Sequence, residues 1–370
     1  MRLFLQKLLT ERVIKLANKY TSRPDQKHVH EALTSLFEHI NSGKEKHGLL
    51  LDFAPSSKLI IFSDQHKGNR NPGDDFALSE KNYLAALQHY NNQQFLFCSL
   101  GDSEEFWKYP VLSVLRHNKA TFELEANFLK RGAFFKIFGN HDLYWDNDPL
   151  AAYHLEKVYG KKLKVYEGII LRIPIDNRKL DVFLTHGHQG DLQSDGNWFS
   201  KWFVSNVWAP FQAYLRINPN TPAFDNQLKS THNAMMYNWT ALQSGMALVT
   251  GHTHQPVFNS LTHLERTYIR LEEARKNGQL EIVQKLESEL IAGKISGDTS
   301  PRLEYSKNTY FNTGCCCFND GDITGIEIED GKIRLIKWKF HPVTGSKRFV
   351  LEESPLASLL EIPVNSTTKI

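Results

Sequence analysis

The stretch FFKIFGNHD, residues 134–142, decides the fold that this sequence predicts. Its apolar first half is typical of a short buried strand, and Gly139 ends that strand because glycine adopts backbone angles that other residues avoid. Asn140, His141 and Asp142 follow at once and offer an amide oxygen, an imidazole and a carboxylate. Ligands of open α/β sheets bind beyond the carboxyl ends of the strands, so we expect these side chains to line a site.

The same arrangement of apolar run, sharp turn and polar side chains occurs four more times along the chain. The polar segments are SDQH at 63–66, GD at 101–102, THGH at 185–188 and GHTH at 251–254. A single Asp or His at a strand end is usually a cap or turn residue. Five such ends in one chain indicate instead that their polar side chains share a site.

The size and composition of the chain set limits on its class. Its 370 residues fit either one large α/β unit with insertions or two domains. A hydrophobic content of 41% with 12% aromatic residues is that of a globular protein. The formal charge of +3, from 44 basic and 41 acidic residues, does not favour specific nucleic-acid binding. No apolar run reaches the roughly 20 residues that span a bilayer, and the N-terminus has the pattern of a helix rather than of a signal peptide, so we expect a cytoplasmic protein.

The four cysteines, Cys98 and the run Cys315, Cys316 and Cys317, do not form a disulfide pattern. Free thiols fit a reducing cytoplasm. The triplet predicts small buried hydrophobic residues on a strand, since free cysteine is often buried. A soft-metal or redox role is the alternative, although the run lacks a Cys-x-x-Cys spacing.

The hydrophobic pattern divides the chain into a catalytic domain, residues 49–342, and two flanking segments. Residues 1–48 predict an N-terminal helical extension, and residues 343–370 form a C-terminal tail without an assigned role. Strand–helix alternation that changes to consecutive strands predicts an α/β (α+β) fold with two sheets. Two insertions interrupt the domain: an aromatic helical cap at 191–245 and a charged helical hairpin at 261–297.

The cap contains an aromatic stripe that allows two interpretations. Its apolar residues recur at helical spacing between Trp198 and Val207, and Lys201 and Arg216 flank them. Such a stripe commonly packs on the body of the protein. Alternatively, residues 198–216 would form a hydrophobic groove or a membrane-surface helix for a lipid-like substrate.

The polar strand ends supply the ligand types of a dinuclear metal centre. Two divalent metals about 4 Å apart activate a bridging water and stabilise both ends of a phosphoryl displacement. Asp64 and His66 are separated by one residue, as are His252 and His254, so in extended geometry each pair points to one side. The predicted ligands of one metal are Asp64, His66 and His254, and those of the other are Asn140, His186 and His252, with Asp102 as the bridge. Mixed nitrogen and oxygen ligation favours Mn, Fe or Zn.

His141 stays outside this ligand set and is the predicted catalytic residue. Beside a metal pair it could protonate the leaving oxygen or stabilise charge on the phosphoryl group. Such an imidazole needs an orienting partner on its other nitrogen. Glu105 is the predicted partner, with Asp142 as the alternative. His188 and Asp191 are weaker candidates for contact with metal or phosphate.

The five polar segments together resemble the signature blocks of the calcineurin-like metallophosphoesterases. The resemblance covers residues from about 58 to 340, apart from the two insertions. It implies a two-sheet β-sandwich flanked by helices, with a dinuclear metal site at the strand ends. It also implies ligand roles for the seven predicted metal ligands and the catalytic role for His141. The run GDSEEFW, residues 101–107, is similar to a block of the UDP-diacylglucosamine pyrophosphohydrolases of lipid A synthesis, in which we would expect arginine at the position of His141.

These patterns predict a two-metal phosphoesterase that hydrolyses a phosphodiester, a pyrophosphate or a phosphomonoester by attack of a metal-bridging hydroxide. The substrate would be lipid-like or nucleotide-linked if the cap binds it. One alternative is a non-catalytic scaffold on the same fold, which would bind partners through the N-terminal helices and the hairpin. Another is a nuclease, which would need a basic groove with stacking aromatic residues. The sequence does not predict the oligomeric state.

Overall fold

The computed structural model describes residues 25–43, 48–190, 226–295 and 309–360. Within these residues, the strands form two seven-stranded sheets. The strands are β1 (Gly48–Asp52), β2 (Leu59–Phe62), β3 (Leu96–Leu100), β4 (Phe134–Ile137), β5 (Val165–Tyr166), β6 (Gly168–Ile175), β7 (Arg178–Thr185), β8 (Met246–Thr250), β9 (Val257–Phe258), β10 (Leu261–Thr262), β11 (Tyr310–Asn312), β12 (Ile323–Glu329), β13 (Lys332–His341) and β14 (Gly345–Pro355).

Both sheets mix parallel and antiparallel pairs. Sheet A has the strand order β1-β6-β7-β8-β11-β9-β10, and sheet B has the order β14-β13-β12-β2-β3-β4-β5. In sheet B, β2, β3 and β4 are parallel neighbours, so their carboxyl ends lie at one edge. In sheet A, β8 is parallel to β7. The strand ends that carry the polar segments are therefore grouped by the topology.

Helices connect the strands and cover the sheets. The helices are α1 (Gln26–Asn41), α2 (Glu80–Asn92), α3 (Val111–His117), α4 (Lys119–Lys130), α5 (Tyr144–Asn147), α6 (Ala151–Tyr159), α7 (Asn226–Ala241), α8 (His263–Lys276) and α9 (Leu280–Ile295). Short 3₁₀ turns occur at Asp75–Leu78 and Leu356–Leu360.

The two sheets pack face to face over an apolar core. Ile61, Leu100 and Ile137 of sheet B lie in one buried cluster with Val182 and Val249 of sheet A. Strands buried on both faces have continuous apolar sequences, as β2 and β8 do. This is the core of the predicted sandwich.

The outer face of each sheet is covered by helices. Tyr83, Phe128 and Leu155, from α2, α4 and α6, pack in one cluster with residues of sheet B. Leu33 and Trp239, from α1 and α7, pack in another cluster with residues of sheet A. The layers are thus helix, sheet, sheet and helix, which confirms the predicted α/β (α+β) sandwich flanked by helices.

Helix α1 is the described part of the predicted N-terminal extension, because residues 1–24 lie outside the described residues. Asp25 caps the helix, and its carboxylate accepts a hydrogen bond from the backbone N–H of His28 at 3.1 Å. Leu33 and Ile40 are buried in the cluster that includes Ile170 and Phe183. This part of the extension therefore covers the outer face of sheet A.

Helices α8 and α9 form the helical hairpin that the sequence predicts at 261–297. Leu271 and Leu286 are buried in the small cluster between the two helices. Arg270 of α8 pairs with Glu352 of β14 at 3.0 Å, and β14 is an outer strand of sheet B. The hairpin thus contacts sheet B through this ion pair.

Two segments differ from the expectation from sequence. The predicted tail contains β14, which pairs along its length with β13. Cys315, Cys316 and Cys317 are buried as expected, but they lie in the connection between β11 and β12 and not on a strand. The chain leaves the strand before the cysteines because Gly314 adopts a φ of 74°, in the left-handed region.

Most of the predicted aromatic cap lies outside the described residues, which resume at α7. Residues 198–216, with the predicted lipid contact, all fall outside them. None of the described helices combines the length and the apolar character that crossing a bilayer requires.

Candidate metal centre

Backbone hydrogen bonds hold the polar strand ends side by side. The N–H of His66 donates to the carbonyl of Asp102 at 3.0 Å, which continues the pairing of β2 with β3 beyond the strands. In sheet A, the N–H of Gly251 donates to the carbonyl of His186 at 3.0 Å. The main chain therefore fixes the relative position of the loops that carry the predicted ligands.

One group of predicted ligands joins Asp64, His66 and His254. The Nε2 atom of His254 lies 3.1 Å from Oδ1 of Asp64 and 3.1 Å from Nε2 of His66. The Nε2 atom of His66 lies 3.8 Å from the same carboxylate oxygen. These are the three side chains that the sequence assigns to one metal.

A second group joins Asp102, His186 and His252, whose ligand atoms all lie within 4.8 Å of one another. The Oδ2 atom of Asp102 lies 3.1 Å from Nε2 of His186 and 3.8 Å from Nε2 of His66. Asp102 therefore reaches both groups, as a bridging carboxylate must. Asn140 lies in the same loop as His141, whose backbone N–H donates to Asp102 at 2.8 Å.

The hydrogen-bond pattern of these groups fits a bound cation. Four buried ligand atoms have no hydrogen-bond partner among the described residues: Asp64 Oδ1, Asn140 Oδ1, His186 Nε2 and His252 Nε2. Leaving a buried polar atom unpaired costs about 1–3 kcal/mol. Asp64 Oδ1 and His186 Nε2 still form ion pairs with other predicted ligands, whereas Asn140 Oδ1 and His252 Nε2 have neither kind of partner among the described residues. Divalent cations would take all four atoms as ligands, and the carboxylate, amide and imidazole donors suit Mn, Fe or Zn.

The sequence analysis expected extended backbone to point the two ligands of each pair, Asp64 with His66 and His252 with His254, to one side. The structure corrects this expectation, because the backbone there is not extended. Asp64 and His66 have φ values of 52° and 50°, and His252 and His254 have values of 68° and 56°. Asp102 also lies in the left-handed region, at 50°. Such backbone conformations cost about 1–3 kcal/mol each and cluster at functional sites. The paired side chains meet through these turns rather than through strand alternation.

Glycine is required at two positions beside the predicted ligands because neighbouring side chains approach its Cα atom too closely to leave room for a Cβ atom. A Cβ atom on Gly139 would meet the carboxylate of Asp102 and lie 2.8 Å from the Cδ2 atom of His186. A Cβ atom on Gly251 would meet the side chains of Ser63 and Asp64. These contacts explain why a glycine precedes both Asn140 and His252 in the sequence.

Burial and opposite charge act against each other on the pKa values in the centre. Burial raises the pKa of Asp64, but His254 and His186 outweigh it and hold that pKa well below its ordinary value. Burial lowers the pKa of His186, but Asp102 and Asp64 outweigh it and raise that pKa to about 9. The pKa of His252 is lowered, first by burial and then by neighbouring imidazoles. The carboxylates and the imidazole of His252 are thus in ligand form, whereas His186 must release a proton to bind a cation.

His141 is oriented by the residue predicted for that task. Its Nδ1 atom lies 2.9 Å from Oε1 of Glu105, and Oε2 of the same carboxylate lies 3.0 Å from Nδ1 of His66. Trp107 stacks on the imidazole of His141, with ring centroids 4.2 Å apart. Asp142, the alternative partner, instead accepts hydrogen bonds from backbone N–H groups. Glu105 therefore links a predicted ligand to the predicted catalytic histidine.

Cys317 approaches the centre although the sequence analysis did not place it there. Its Sγ atom lies 3.7 Å from Nδ1 of His254, the ring nitrogen that does not face Asp64. Cys317, His66 and His254 form a further group whose ligand atoms lie close together. The only feature of the sequence that could have pointed to Cys317 is the run of three cysteines, and that run lacks the spacing of known metal-ligand motifs.

Two more histidines lie beside the predicted ligands. His188 is buried, and its pKa is lowered to about 3, first by burial and then by His186. The Nε2 atom of His232 lies 2.7 Å from the carbonyl of Gly187, and its ring packs 5.1 Å from that of His252. Nothing in the sequence marks His232, because no motif contains it. Asp191, the other weak candidate, lies outside the described residues.

A buried network of four charged side chains, here called the ion network, adjoins the centre. The Nζ atom of Lys67 lies 2.8 Å from Glu125 and 3.1 Å from Glu104. The Nζ atom of Lys136 lies 2.9 Å from Oε2 of Glu104, to which the indole N–H of Trp145 also donates. All four charged side chains are 0% exposed. Since each charge has an opposite partner, the ion network needs no ligand.

The comparisons with known proteins identify the family. The family model described as calcineurin-like phosphoesterase matches residues 57–256, which is more than half of the 370 residues. The chain therefore belongs to the calcineurin-like phosphoesterase family. No curated protein matches the sequence.

The solved structures that resemble the chain do so at low identity. One is Vacuolar Protein Sorting 29 from Cryptosporidium parvum, with 10% identity, a TM-score of 0.31, and coverage of 81% of this chain and 98% of that chain. Another is a putative 5'-nucleotidase from Staphylococcus aureus, with 11% identity, a TM-score of 0.31, and coverage of 85% and 55%. A third is a protein serine/threonine phosphatase from Saccharomyces cerevisiae, with 12% identity, a TM-score of 0.21, and coverage of 68% and 77%.

Proposed function

We propose that this protein is a dinuclear metal-dependent phosphoesterase. The observation that carries the proposal is the pair of ligand groups that share Asp102. Four buried atoms of the predicted ligands have no hydrogen-bond partner among the described residues. Two of them, Asn140 Oδ1 and His252 Nε2, also have no ion-pair partner there, and a bound cation would satisfy them. The predicted ligands are Asp64, His66, Asp102, Asn140, His186, His252 and His254.

Two divalent cations bound there would supply Lewis acidity toward phosphoryl oxygens and activation of a water nucleophile. Proton transfer or charge stabilisation at the substrate is the role proposed for His141. Its Nδ1 atom is held by Glu105, so its Nε2 atom is the one that can meet a substrate oxygen. From there, His141 donates a proton to the leaving oxygen or stabilises negative charge on the phosphoryl group.

The substrate class is proposed from the resemblance and from the cap. A phosphodiester, a pyrophosphate and a phosphomonoester are all chemically compatible with two metals and one imidazole. A lipid-like or nucleotide-linked substrate depends on residues 198–216, which lie outside the described residues. The test therefore compares substrates with and without an acyl group.

The test is a hydrolysis panel on metal-stripped protein that is reconstituted with Mn, Fe or Zn. The substrates are bis-p-nitrophenyl phosphate, p-nitrophenyl phosphate and an acylated UDP-sugar, with Asp102→Ala as the blank. Metal-dependent hydrolysis that Asp102→Ala abolishes supports the proposal. Preference for the acylated nucleotide supports the lipid-like substrate class, whereas tight metal binding without hydrolysis of any ester would favour the non-catalytic scaffold.

The role of His141 is tested separately with His141→Ala. Because this side chain is not among the predicted ligands, we expect both metals to remain bound. Turnover should fall by about 10²–10⁴, the usual contribution of a positioned acid or base. Metal content by mass spectrometry provides the control, and full activity of the variant would remove His141 from the mechanism.

A further inference from the structure

The hairpin that connects β13 and β14 lies at the same end of sheet B as the metal centre. In sheet B, β12 is antiparallel to β2, with Ile326 opposite Ile61 and Ile328 opposite Leu59. Ile323, at the start of β12, lies opposite Trp338 of β13. The chain after Trp338 therefore extends beyond the carboxyl end of β2, which leads into the predicted ligands. We call residues 339–351 the hairpin end.

The hairpin end exposes several large apolar side chains. Monomeric proteins rarely expose such groups together without a partner. Their exposed fractions are 43% for Phe340, 86% for Val343, 48% for Phe349, 45% for Val350 and 42% for Leu351. Phe340 and Phe349 line one shallow surface depression together with Lys339, His341, Thr344 and Lys347. This patch is not accounted for by the proposed chemistry.

The hairpin end is also cationic. Residues 339–351 contain two lysines and one arginine and no acidic residue. Lys337 pairs with Asp322 and Arg348 pairs with Glu327, whereas Lys339 and Lys347 form no ion pair with any described residue.

The two unpaired lysines also face each other in the β-ladder. Lys339 and Lys347 are direct cross-strand partners. Like charges at such positions destabilise a β-ladder. A negatively charged surface placed against the hairpin end would remove this repulsion.

We propose that the hairpin end docks the protein on an anionic membrane surface. Exposed aromatic and aliphatic side chains next to unpaired lysines match the boundary between lipid headgroups and acyl chains. Basic residues add attraction to anionic lipids that acts within a Debye length. Docking there turns the end of sheet B that carries the metal centre toward the membrane, where phosphate esters of lipids are present. The docking itself does not depend on the proposed activity.

The experiment measures sedimentation of the full-length protein with lipid vesicles. One set of vesicles contains phosphatidylcholine alone, and the other contains phosphatidylcholine with phosphatidylglycerol. We expect binding to the anionic vesicles that weakens as salt is added. The double variant K339E/K347E should lower the affinity at least about tenfold, since it reverses two charges near the surface. Replacing Val343 and Phe349 by serine should also weaken binding, with a smaller change in the salt dependence.

A matched control reverses two charges at the opposite end of the sheet. Lys161 and Lys162 are exposed and lie before β5, whose strand runs parallel to β4, so they sit away from the metal centre. K161E/K162E should bind vesicles as the wild type does. Asp102→Asn should also retain vesicle binding, so loss of docking and loss of hydrolysis are distinguishable. Thermal unfolding of each variant checks that the fold is kept.

Several results would overturn the proposal. They include absence of binding to anionic vesicles and equal binding by wild type and K339E/K347E. In the second case the membrane contact would belong to another segment, such as residues 198–216. The surface could instead bind a second copy of this chain, which analytical ultracentrifugation tests. A dimer that dissociates in the hairpin variants would identify the hairpin end as a dimer contact. Preferential binding of nucleic acid over vesicles would likewise contradict membrane docking.

Discussion

The metal centre and the ion network are built from neighbouring residues but differ in how their polar atoms are satisfied. His66 is followed by Lys67, and Glu105 is preceded by Glu104. In the ion network every charge has a partner within about 3 Å, and all four side chains are fully buried. In the metal centre four buried ligand atoms have no hydrogen-bond partner among the described residues, and Asn140 Oδ1 and His252 Nε2 have no ion-pair partner there either. Burial alone is therefore not what distinguishes a site from its scaffold.

The difference lies also in the backbone. His66 and Asp102 adopt positive φ values, whereas Lys67 and Glu104 do not and are joined by a β-bridge. Pairing offsets part of the desolvation cost of a buried charge, while a buried polar group without a partner bears that cost in full unless a ligand takes it. Adjacent residues of the same loops thus belong to the metal centre and to the ion network beside it.

The largest expected effect comes from His252→Ala in the metal centre. The Nε2 atom of His252 has no partner among the described residues, so the substitution removes a predicted ligand without breaking a protein contact of that atom. We expect hydrolysis to fall at least about 1,000-fold and the bound metal to drop, because loss of metal removes the Lewis acid. Stability of the metal-free protein should change by only about 1 kcal/mol. Unchanged metal content, measured by mass spectrometry, would contradict the ligand role.

The opposite behaviour is expected of Glu104→Gln in the ion network. The substitution leaves Lys136 and one contact of Lys67 without a counter-charge, which typically costs 3–5 kcal/mol, about the cost of breaking a buried pair. Urea unfolding should show this loss while metal content stays close to that of the wild type. Adding Lys136→Met should recover part of the stability, since it removes the unpaired charge. A stable Glu104→Gln variant that fails to bind metal would mean that the network is part of the site.

The pH dependence sharpens this test. Burial raises the pKa of Glu104, but Lys136 and Lys67 outweigh it and lower that pKa from 4.5 to about 2. Because the folded pKa lies below the ordinary value, the contribution of Glu104 to stability is present above pH 4.5 and is lost as the pH falls toward 2. The difference in stability between wild type and Glu104→Gln should therefore shrink over that range.

The sequence predicted the fold, and it named side chains that the structure brings together, because the relevant signals are local. Apolar runs that end in glycine and a polar residue mark the strand ends, and parallel strands bring those ends to one edge. β14 was not predicted, since most of its side chains are exposed and it has no apolar alternation. The left-handed backbone of Asp64 and His66 was not predicted either, because it depends on the packing of neighbouring loops.

The residues around the predicted ligands, such as those of the ion network, were not predicted because their residue types do not indicate burial. Lys67 and Glu104 have the residue types of a solvated surface, and only the folded chain shows that they are buried as a pair. Cys317 reaches His254 through the turn at Gly314, whose geometry no spacing rule reports. Contacts of this kind are set by tertiary packing rather than by local pattern.

The smallest expected effect concerns Cys317, which lies beside the metal centre. Its Sγ atom is within hydrogen-bond distance of Nδ1 of His254, while Nε2 of that ring faces Asp64. We therefore expect Cys317 to orient the ligand rather than to bind metal itself. Cys317→Ala should weaken metal binding by about tenfold, the lower end for an outer-shell partner, and Cys317→Ser should restore most of it.

Cobalt substitution separates orientation from direct ligation. A thiolate ligand gives a sulfur-to-cobalt charge-transfer band in the near ultraviolet, and we expect no such band in the wild type. Cys98→Ala is the matched control, because Cys98 is also buried but lies in the core cluster between the sheets. A band that disappears in Cys317→Ser and persists in Cys98→Ala would make the thiol a direct ligand. The metal centre would then extend to the group His66, His254 and Cys317, and the preferred metal would shift toward zinc.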